Sequence, residues 1–536
     1  MFATELDYRM SVCQIHLCSL LIKEHFGDIV EKVCTHLIQN GAKPLRVAAQ
    51  ETGLKIDQVR KALCVLVQHN IASFGLHKRG FVEYAASVEQ VLLLVRYPRY
   101  IYCAKTLYGD AGELIVEEIL QHGQMRMSTV VGRVTQRLSE GGQSVTNDHV
   151  KGKMEDLINT HFLQRVPAPP PDNNKAAFPE LTISERDLYR VPASIEVTRG
   201  ESDTSKRKRS TEDSDPQSSS KRLKIDSEEH AADEGILWHL NFDRFHKYLL
   251  DHEIVQAVSR RIDWNAAEVV RTMLRISELS KGLEDKTSHP ISLNDTMRNL
   301  PKENNMKFGV VEQYFKLLSD DQTSIVTKVG ETGGGSYTLD FQNACKALVV
   351  STIESVVQER FGSKSFRIFK TLLLKKYLEQ KQVEEFALIP AKEAKELLYK
   401  MFSEHFVTMQ EIPRTPDHAP SRTFFLFTVD VSQVSRMLLE RCYKSLANVI
   451  SRRAFETKEN KRLIEKSQRV EAIAASLQSH GADQSQTAEV EDMITPLEKN
   501  QLEKYRSKMS KLEQSELQVD STIFTLGNFL RLESDS

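Results

Sequence analysis

The residues with chemistry to offer are cations, and they come in clusters. Lys55, Arg60 and Lys61 lie in or beside the segment IDQVRKALCVLVQHN. His77, Lys78 and Arg79 sit at the turn of IASFGLHKRGFVEYAA. Cations in such places neutralise phosphates. A solvated helix face or a protein-binding surface would use the same residue types. A second block, RYPRYIYCAKTLYGD, interleaves Arg96, Arg99 and Lys105 with Tyr97, Tyr100, Tyr102 and Tyr108. Aromatics beside cations stack bases, but Tyr and Arg are equally the residues of interface cores. The block lies between two repeating segments, which favours packing. A third set, Lys206, Arg207, Lys208 and Arg209 followed by Lys221, Arg222 and Lys224, spans a gap of residues 210–220. Exposed basic runs at this distance form a bipartite nuclear-import address, or simply a solvated charge run.

Enzymatic constellations are missing from this picture. The one glycine cluster, GETGGG, has no Lys-Ser/Thr after it and falls in a hairpin turn, so it is no phosphate cradle. There is no H-E-x-x-H, no G-x-S-x-G and no C-x-x-C. His69, His161 and His405 recur near the ends of three similar helices, where they read as helix-end caps rather than metal ligands. Cys64 sits between Leu63 and Val65 and reads as a buried, inert thiol. The expectation is a protein without catalytic residues, metal or cofactor.

The 536 residues carry a net charge of −2 with 40% hydrophobic and 27% charged residues, an ordinary globular composition of several domains. Affinity for nucleic acid therefore cannot come from global charge; any basic surface is local. No run approaches the ~18 apolar residues of a membrane span, and the opening MFATELDYRMSVCQ has no signal-type apolar core. Seven scattered cysteines read as free thiols of a reducing compartment.

The elements that must position the cations repeat. Apolar residues recur as Val59/Leu63/Leu66, Val150/Met154/Leu157, Val311/Phe315/Leu318 and Ala394/Leu398/Met401, each trio on one helix face. Strand-like pieces follow from Ile71, Phe162, Ser324 and Phe406, with FVEYAA, DLYRVP, SYTLDF and TFFLFTV as returning strands. Helix, helix-turn-helix and hairpin is the order of a winged helix. The chain is therefore mainly α with small β-hairpins. Four tandem winged helices are expected at 1–98, 99–195, 235–342 and 343–430, with a charged, disordered linker at 196–234. In the fourth unit AKEAKELLYKMFSEH mixes Lys and Glu at i,i+4 spacing, so that helix reads as solvated or protein-facing.

Beyond this, 431–536 reads as an antiparallel coiled coil. Leu463, Val470 and Leu477 are seven apart; Leu502, Tyr505, Met509, Leu512, Val519, Ile523, Leu526 and Leu530 alternate threes and fours, and Glu516 is the one failed position. Leu502, Met509, Leu512, Ile523 and Leu526, with Arg96, Tyr97, Arg99 and Tyr100, are the candidate interface residues.

Several strings resemble the third-largest subunit of eukaryotic RNA polymerase III: LLIKEHFGDIVEKV, RKALCVLVQHN, RYPRYIY with TLYGD and GELIVEE, ESVVQERFGS, KQVEEFALIPAKEAKELLYKM, TPDHAPSRTF and FETKENKRLIEKSQRVEAI. They cover almost the whole chain in order. The resemblance implies a non-catalytic, nuclear subunit with four extended winged helices and a coiled coil, similar to the large subunit of general initiation factor IIE. It implies a heterotrimer with two smaller subunits on the clamp of the largest subunit, contact with the upstream initiation factor, and help in opening promoter DNA for small RNAs such as transfer RNA and 5S ribosomal RNA. It further implies, through the polymerase, sensing of AT-rich cytosolic DNA in innate immunity. The competing class is a tandem winged-helix scaffold that binds only proteins.

Overall fold

A computed structural model describes residues 11–142, 144–167, 183–184, 186–192, 233, 235–278, 282, 285–301, 306–414, 423–479 and 493–534. The chain divides into two compact bodies, one formed by residues 32–247, the other by residues up to 31 together with 248 onward.

The first repeat runs α1 (Val12–Phe26), α2 (Asp28–Asn40), β1 (Lys43–Pro44), α3 (Leu45–Thr52), α4 (Ile56–Gln68), β2 (Ala72–Leu76) and β3 (Val82–Ala86). Its sheet order is β1-β3-β2, all antiparallel. After α5 (Val88–Leu92) come α6 (Tyr97–His122), α7 (Met127–Glu140), α8 (Asn147–Asn159), β4 (Leu163–Arg165) and β5 (Trp238–Leu240) of the second. The third contains α9 (Phe242–Arg261), α10 (Trp264–Ser277), β6 (Ile291–Ser292), α11 (Leu293–Asn299), α12 (Phe308–Ser319), β7 (Val326–Gly330) and β8 (Ser336–Leu339). The fourth contains α13 (Phe341–Phe361), α14 (Ser363–Lys375), β9 (Leu378–Glu379), α15 (Gln380–Ala387), α16 (Ala391–Ser403), β10 (Thr408–Pro413) and β11 (Thr423–Thr428). Both sheets repeat the first one's order, with the last strand in the middle. All four predicted trios are buried, which is what makes α4, α8, α12 and α16 the keystones of their units.

Three of these helices stop by the same device. Ile71, Phe162 and Phe406 donate their N–H groups to the carbonyls of Leu66, Leu157 and Met401, and the residue before each adopts positive φ: Asn70 58°, His161 66° and His405 64°. This is a Schellman stop with an apolar residue folded back onto the last core position. The histidines are off by one in the expected alignment. His161 and His405 match Asn70, while His69 is the preceding cap residue with φ −93°.

Each repeat also carries an extra leading helix, and a glycine breaks it from the next. Gly27 (φ 84°, ψ 177°), Gly109 (76°, −165°) and Gly362 (86°, 175°) share one conformation that only glycine adopts readily. Each follows an aromatic residue, in Phe26-Gly27, Tyr108-Gly109 and Phe361-Gly362. In the third repeat Asp263 takes the place of the glycine, at φ −165°, and caps α10 by accepting from the Ala266 N–H at 2.7 Å.

Two expectations are corrected. The partner of β4 is Trp238–Leu240, not DLYRVP. Arg186–Tyr189 is a turn whose Leu188 carbonyl accepts from Arg165 N–H at 3.0 Å, and Tyr189 stacks on His161 at 3.8 Å. Its apolar residues serve packing rather than a ladder. The returning strand therefore comes some seventy residues after β4, and Trp238 belongs to the second repeat rather than opening the third. Cys64 is exposed. Its linear neighbours mislead, because α4 buries Val59, Ala62, Leu63 and Leu66, while the face through Asp57, Arg60, Lys61 and Cys64 points to solvent.

The C-terminal segment folds as α17 (Val431–Glu459), α18 (Lys461–Ser479) and α19 (Pro496–Ser534). Ser432 meets Glu533, Arg453 meets Glu516 and Lys466 meets Glu498, so α19 runs antiparallel to α17–α18. Helical hairpin and winged helices together bear out the mainly α reading.

Candidate nucleic-acid interface

The second helix of the first helix-turn-helix, α4, begins at Lys55, whose N–H is taken by the Gln58 side chain at 3.2 Å. Lys55, Arg60 and Lys61 are all exposed. Arg60 has a loose ion pair with Asp57, 3.5 Å, of little energetic weight on a solvated face. The far end of the helix is covered. Gln68 donates to the His122 carbonyl at 2.7 Å, and Gly123 packs so closely that a Cβ there would lie 2.3 Å from the Gln68 carbonyl oxygen. The cationic N-terminal half of α4 is open.

The β2–β3 turn presents the other predicted cluster. His77 and Phe81 close it through a 2.9 Å backbone bond and stacked rings at 4.5 Å, and Gly80 supplies φ 83°. Lys78 and Arg79 project at the tip, exposed, while His77 is half-buried by its stack. Among the described residues, Lys55, Lys61, Lys78 and Arg79 take part in no ion pair. Free cations on a recognition helix and on its wing can each replace a phosphate counterion. No bond joins the two clusters; the body of residues 32–247 carries both.

The Arg/Tyr block has a different fate. Tyr100 is fully buried, its hydroxyl 2.7 Å from His246 Nε2. Tyr97 stacks on Phe242 at 6.3 Å, and burial pushes its phenol well above the usual range. Arg96 lies 3.5 Å from the same His246, and Arg99 is half-buried. Tyr97 and Tyr100 pack α6 against the start of α9, which takes Tyr100 out of any surface, while Arg96, Tyr97 and Arg99 stay half-exposed. Tyr102 alone of the block's tyrosines is exposed.

Nearby lies a polar junction that the sequence did not announce. His239 sits between the side-chain amides of Asn70 (3.3 Å) and Gln164 (3.2 Å), and Asn70 also accepts from Gln124 at 3.0 Å. Burial pushes the His239 imidazole down to about 4. A neutral histidine thus ties the first unit to the second.

The equivalent helix of the third repeat presents apolar residues instead. α12 exposes Phe308, Val310 and Leu317, and Trp264 beside it is 59% exposed under the Arg271 guanidinium. In the fourth unit Glu393 of α16 pairs with Lys364 of α14 at 2.6 Å, a contact between helices rather than within α16. Leu388, in the turn before α16, is 82% exposed at φ 53°.

Of the hairpin residues, Leu502, Ile523 and Leu526 are buried and Met509 and Leu512 half-buried. Leu526 and Ile523 are spent inside this chain and cannot serve as a partner's contact. The failed position, Glu516, faces Arg453 at 3.2 Å. The import candidates Lys206, Arg207, Lys208, Arg209, Lys221, Arg222 and Lys224 lie outside the described residues. Among the described residues no group of His, Cys, Asp and Glu is arranged to hold a metal, and no helix is long and apolar enough to cross a membrane.

Comparison with known proteins gives four family matches in chain order. Residues 16–77 match the RNA polymerase III subunit RPC82 helix-turn-helix domain, and 152–348 match RNA polymerase III subunit RPC82. Residues 353–429 match the POLR3C C-terminal winged-helix domain, and 462–525 the helical hairpin domain of DNA-directed RNA polymerase III subunit RPC3. DNA-directed RNA polymerase III subunit RPC3 of Homo sapiens is 51% identical over 531 residues, 97% of this chain and 99% of the relative. The Bos taurus protein of that name gives the same identity and coverage. The Dictyostelium discoideum protein is 22% identical, covering 83% of this chain and 92% of its own length.

Proposed function

We propose, from the premise that this chain belongs to the RPC3 family of DNA-directed RNA polymerase III subunits, that it serves transcription by that enzyme as a non-catalytic winged-helix subunit. It joins two smaller subunits in a heterotrimer on the clamp of the largest subunit. There it meets the upstream initiation factor and helps open promoter DNA for transfer RNA and 5S ribosomal RNA. Its place of work is the nucleus, and through the polymerase it would share in sensing AT-rich cytosolic DNA. The observation that carries the reading is the 51% identity sustained over 97% of the chain.

Within that role the first unit holds DNA at the cleft edge, using Lys55, Arg60 and Lys61 of α4 and Lys78 and Arg79 of the wing, with His77 bracing the turn. The contact is weak alone and effective in the assembly, because the chain as a whole is at −2. The apolar surface of the third unit supports a division of labour in which other repeats dock on protein. A scaffold without DNA contact is the second reading, and the exposed Trp264, Phe308 and Leu317 favour it.

The test is affinity purification of the tagged chain from nuclear extract, followed by a run-off assay. Recovery of the polymerase III core with its two small partners is expected. The variant Lys78→Glu/Arg79→Glu should keep that recovery and lower promoter opening. Recovery of a different complex would overturn the assembly reading, and unchanged opening would assign the wing to solvent.

A further inference from the structure

Among the described residues, the far half of the C-terminal hairpin is strongly cationic. Residues 452–469 and 498–511 hold twelve Lys and Arg against five Glu, a local charge of +7 in a chain whose total is −2. On α17–α18 the exposed residues Arg452, Phe455, Lys458 and Arg462 follow one another at helical spacing. On α19, Lys504, Lys508 and Lys511 are exposed at i, i+4 and i+7. The two rows adjoin, because Arg452 and Lys508 both bind Glu456, the latter at 3.3 Å. Lys458, Arg462, Lys504 and Lys511 are in no ion pair among the described residues.

We infer that this face of the hairpin is a second nucleic-acid contact, separate from the first winged helix. Two features choose nucleic acid over an acidic protein. Lysine is depleted from protein–protein interfaces, whereas nucleic-acid interfaces are strongly positive. The one large apolar side chain among these cations, Phe455, is 51% exposed with the Arg452 guanidinium 5.2 Å from its ring centre, the pairing of aromatic and cation that stacks an unpaired base. The rows of lysine hold phosphates and Phe455 takes a base, so the preferred ligand is a single strand. The inference does not depend on the polymerase assignment.

The test uses the full chain, a fluorescent 30-nucleotide single strand and a 30-base-pair duplex of scrambled sequence, and anisotropy titrations between 50 and 200 mM salt. The variant Lys458→Glu/Arg462→Glu/Lys504→Glu/Lys511→Glu leaves the ion-paired cations in place. It should weaken single-strand binding at least tenfold and flatten the log–log salt slope by about 2–3. The quadruple Gln variant, which introduces no new repulsion, should act in the same direction, and circular dichroism should show the hairpin intact in both. Phe455→Ala should weaken the single strand several-fold and leave the duplex unchanged. Adding Lys78→Glu/Arg79→Glu should lower affinity further, since the two contacts are independent. Unchanged affinity and slope in both quadruple variants overturn the inference.

Discussion

Arg453 on α17 places one guanidinium nitrogen 3.2 Å from Glu516 of α19 and the other 2.8 Å from Glu24 of α1. One cation thus serves two acids on two different helices, and this is why the apolar seven-residue pattern fails at 516. Arg453 is 21% exposed and Glu516 13%. Burial pushes the Glu516 carboxyl up, and Arg453 pulls it back.

Removing the shared cation leaves two acids facing one another. Arg453→Met should destabilise the body that contains it by about 2 kcal/mol, below the range for a fully buried pair because water still reaches the site. The sign with pH follows from the raised carboxyl. The folded state holds the proton more tightly than the unfolded one, so stability falls as pH rises from the ordinary carboxylate value through the raised one. Without Arg453 that rise is larger. Urea melts should therefore show a deficit that shrinks toward about pH 5 and grows toward about pH 7.5. A pH-independent deficit would mean that packing, not charge, is what Arg453 contributes.

The glycines between paired helices are a second test. Nothing lies within 4 Å of a Cβ at Gly27, Gly109 or Gly362, so the requirement there is conformational and not steric. Alanine at any of the three should cost about 1–3 kcal/mol. Gly152 lies within α8 with equally open space and no positive φ. There alanine should gain about 0.5–1 kcal/mol. Thermal melts of the four variants give opposite signs if the kink conformation is what matters.

His239 makes the body of residues 32–247 acid-sensitive. Its folded value of about 4 lies below the ordinary 6.5. A depressed imidazole contributes stability that is complete above about pH 6.5 and is lost as pH falls toward 4, in all about 3 kcal/mol. The neighbouring Trp238 is buried, so in a Trp264→Phe background tryptophan fluorescence reports this body. His239→Asn, which cannot titrate, should flatten the acid limb of that signal. An unaltered limb would place the titration elsewhere.

Much of the repeat was legible because its signal is periodic. The four buried trios and the apolar strands after them follow from spacing alone. The parts that escaped have no period. Phe26-Gly27, Tyr108-Gly109 and Phe361-Gly362 are two-residue signals separated by about eighty and two hundred and fifty residues, and only the shared φ and ψ give them meaning. β5 escaped because a long insertion parts it from β4, and DLYRVP offered a nearer apolar stretch. Cys64 was misplaced by its linear neighbours when the decisive ones were at 60, 61 and 68. The cations of α4 and of the wing were readable by type. That the second unit packs against the C-terminal end of α4 is a tertiary fact, carried by the close approach of Gly123 to the Gln68 backbone.

Leu388 gives the last prediction, since it is costly in two ways at once. It is 82% exposed and holds φ 53°, a conformation that a side chain with a Cβ adopts at a cost of about 1 kcal/mol or more. The same turn of the first unit uses Gly53, at φ 69°. Neither burial nor backbone comfort keeps a leucine at this position. Leu388→Gly should therefore stabilise the free chain by about 1 kcal/mol, because little buried apolar area is lost and the strain is relieved. The measurement is a pair of urea melts at neutral pH, with the midpoint rising at constant slope. A lower midpoint would show that Leu388 packs in solution against a neighbour, and that its left-handed backbone is sustained by that contact.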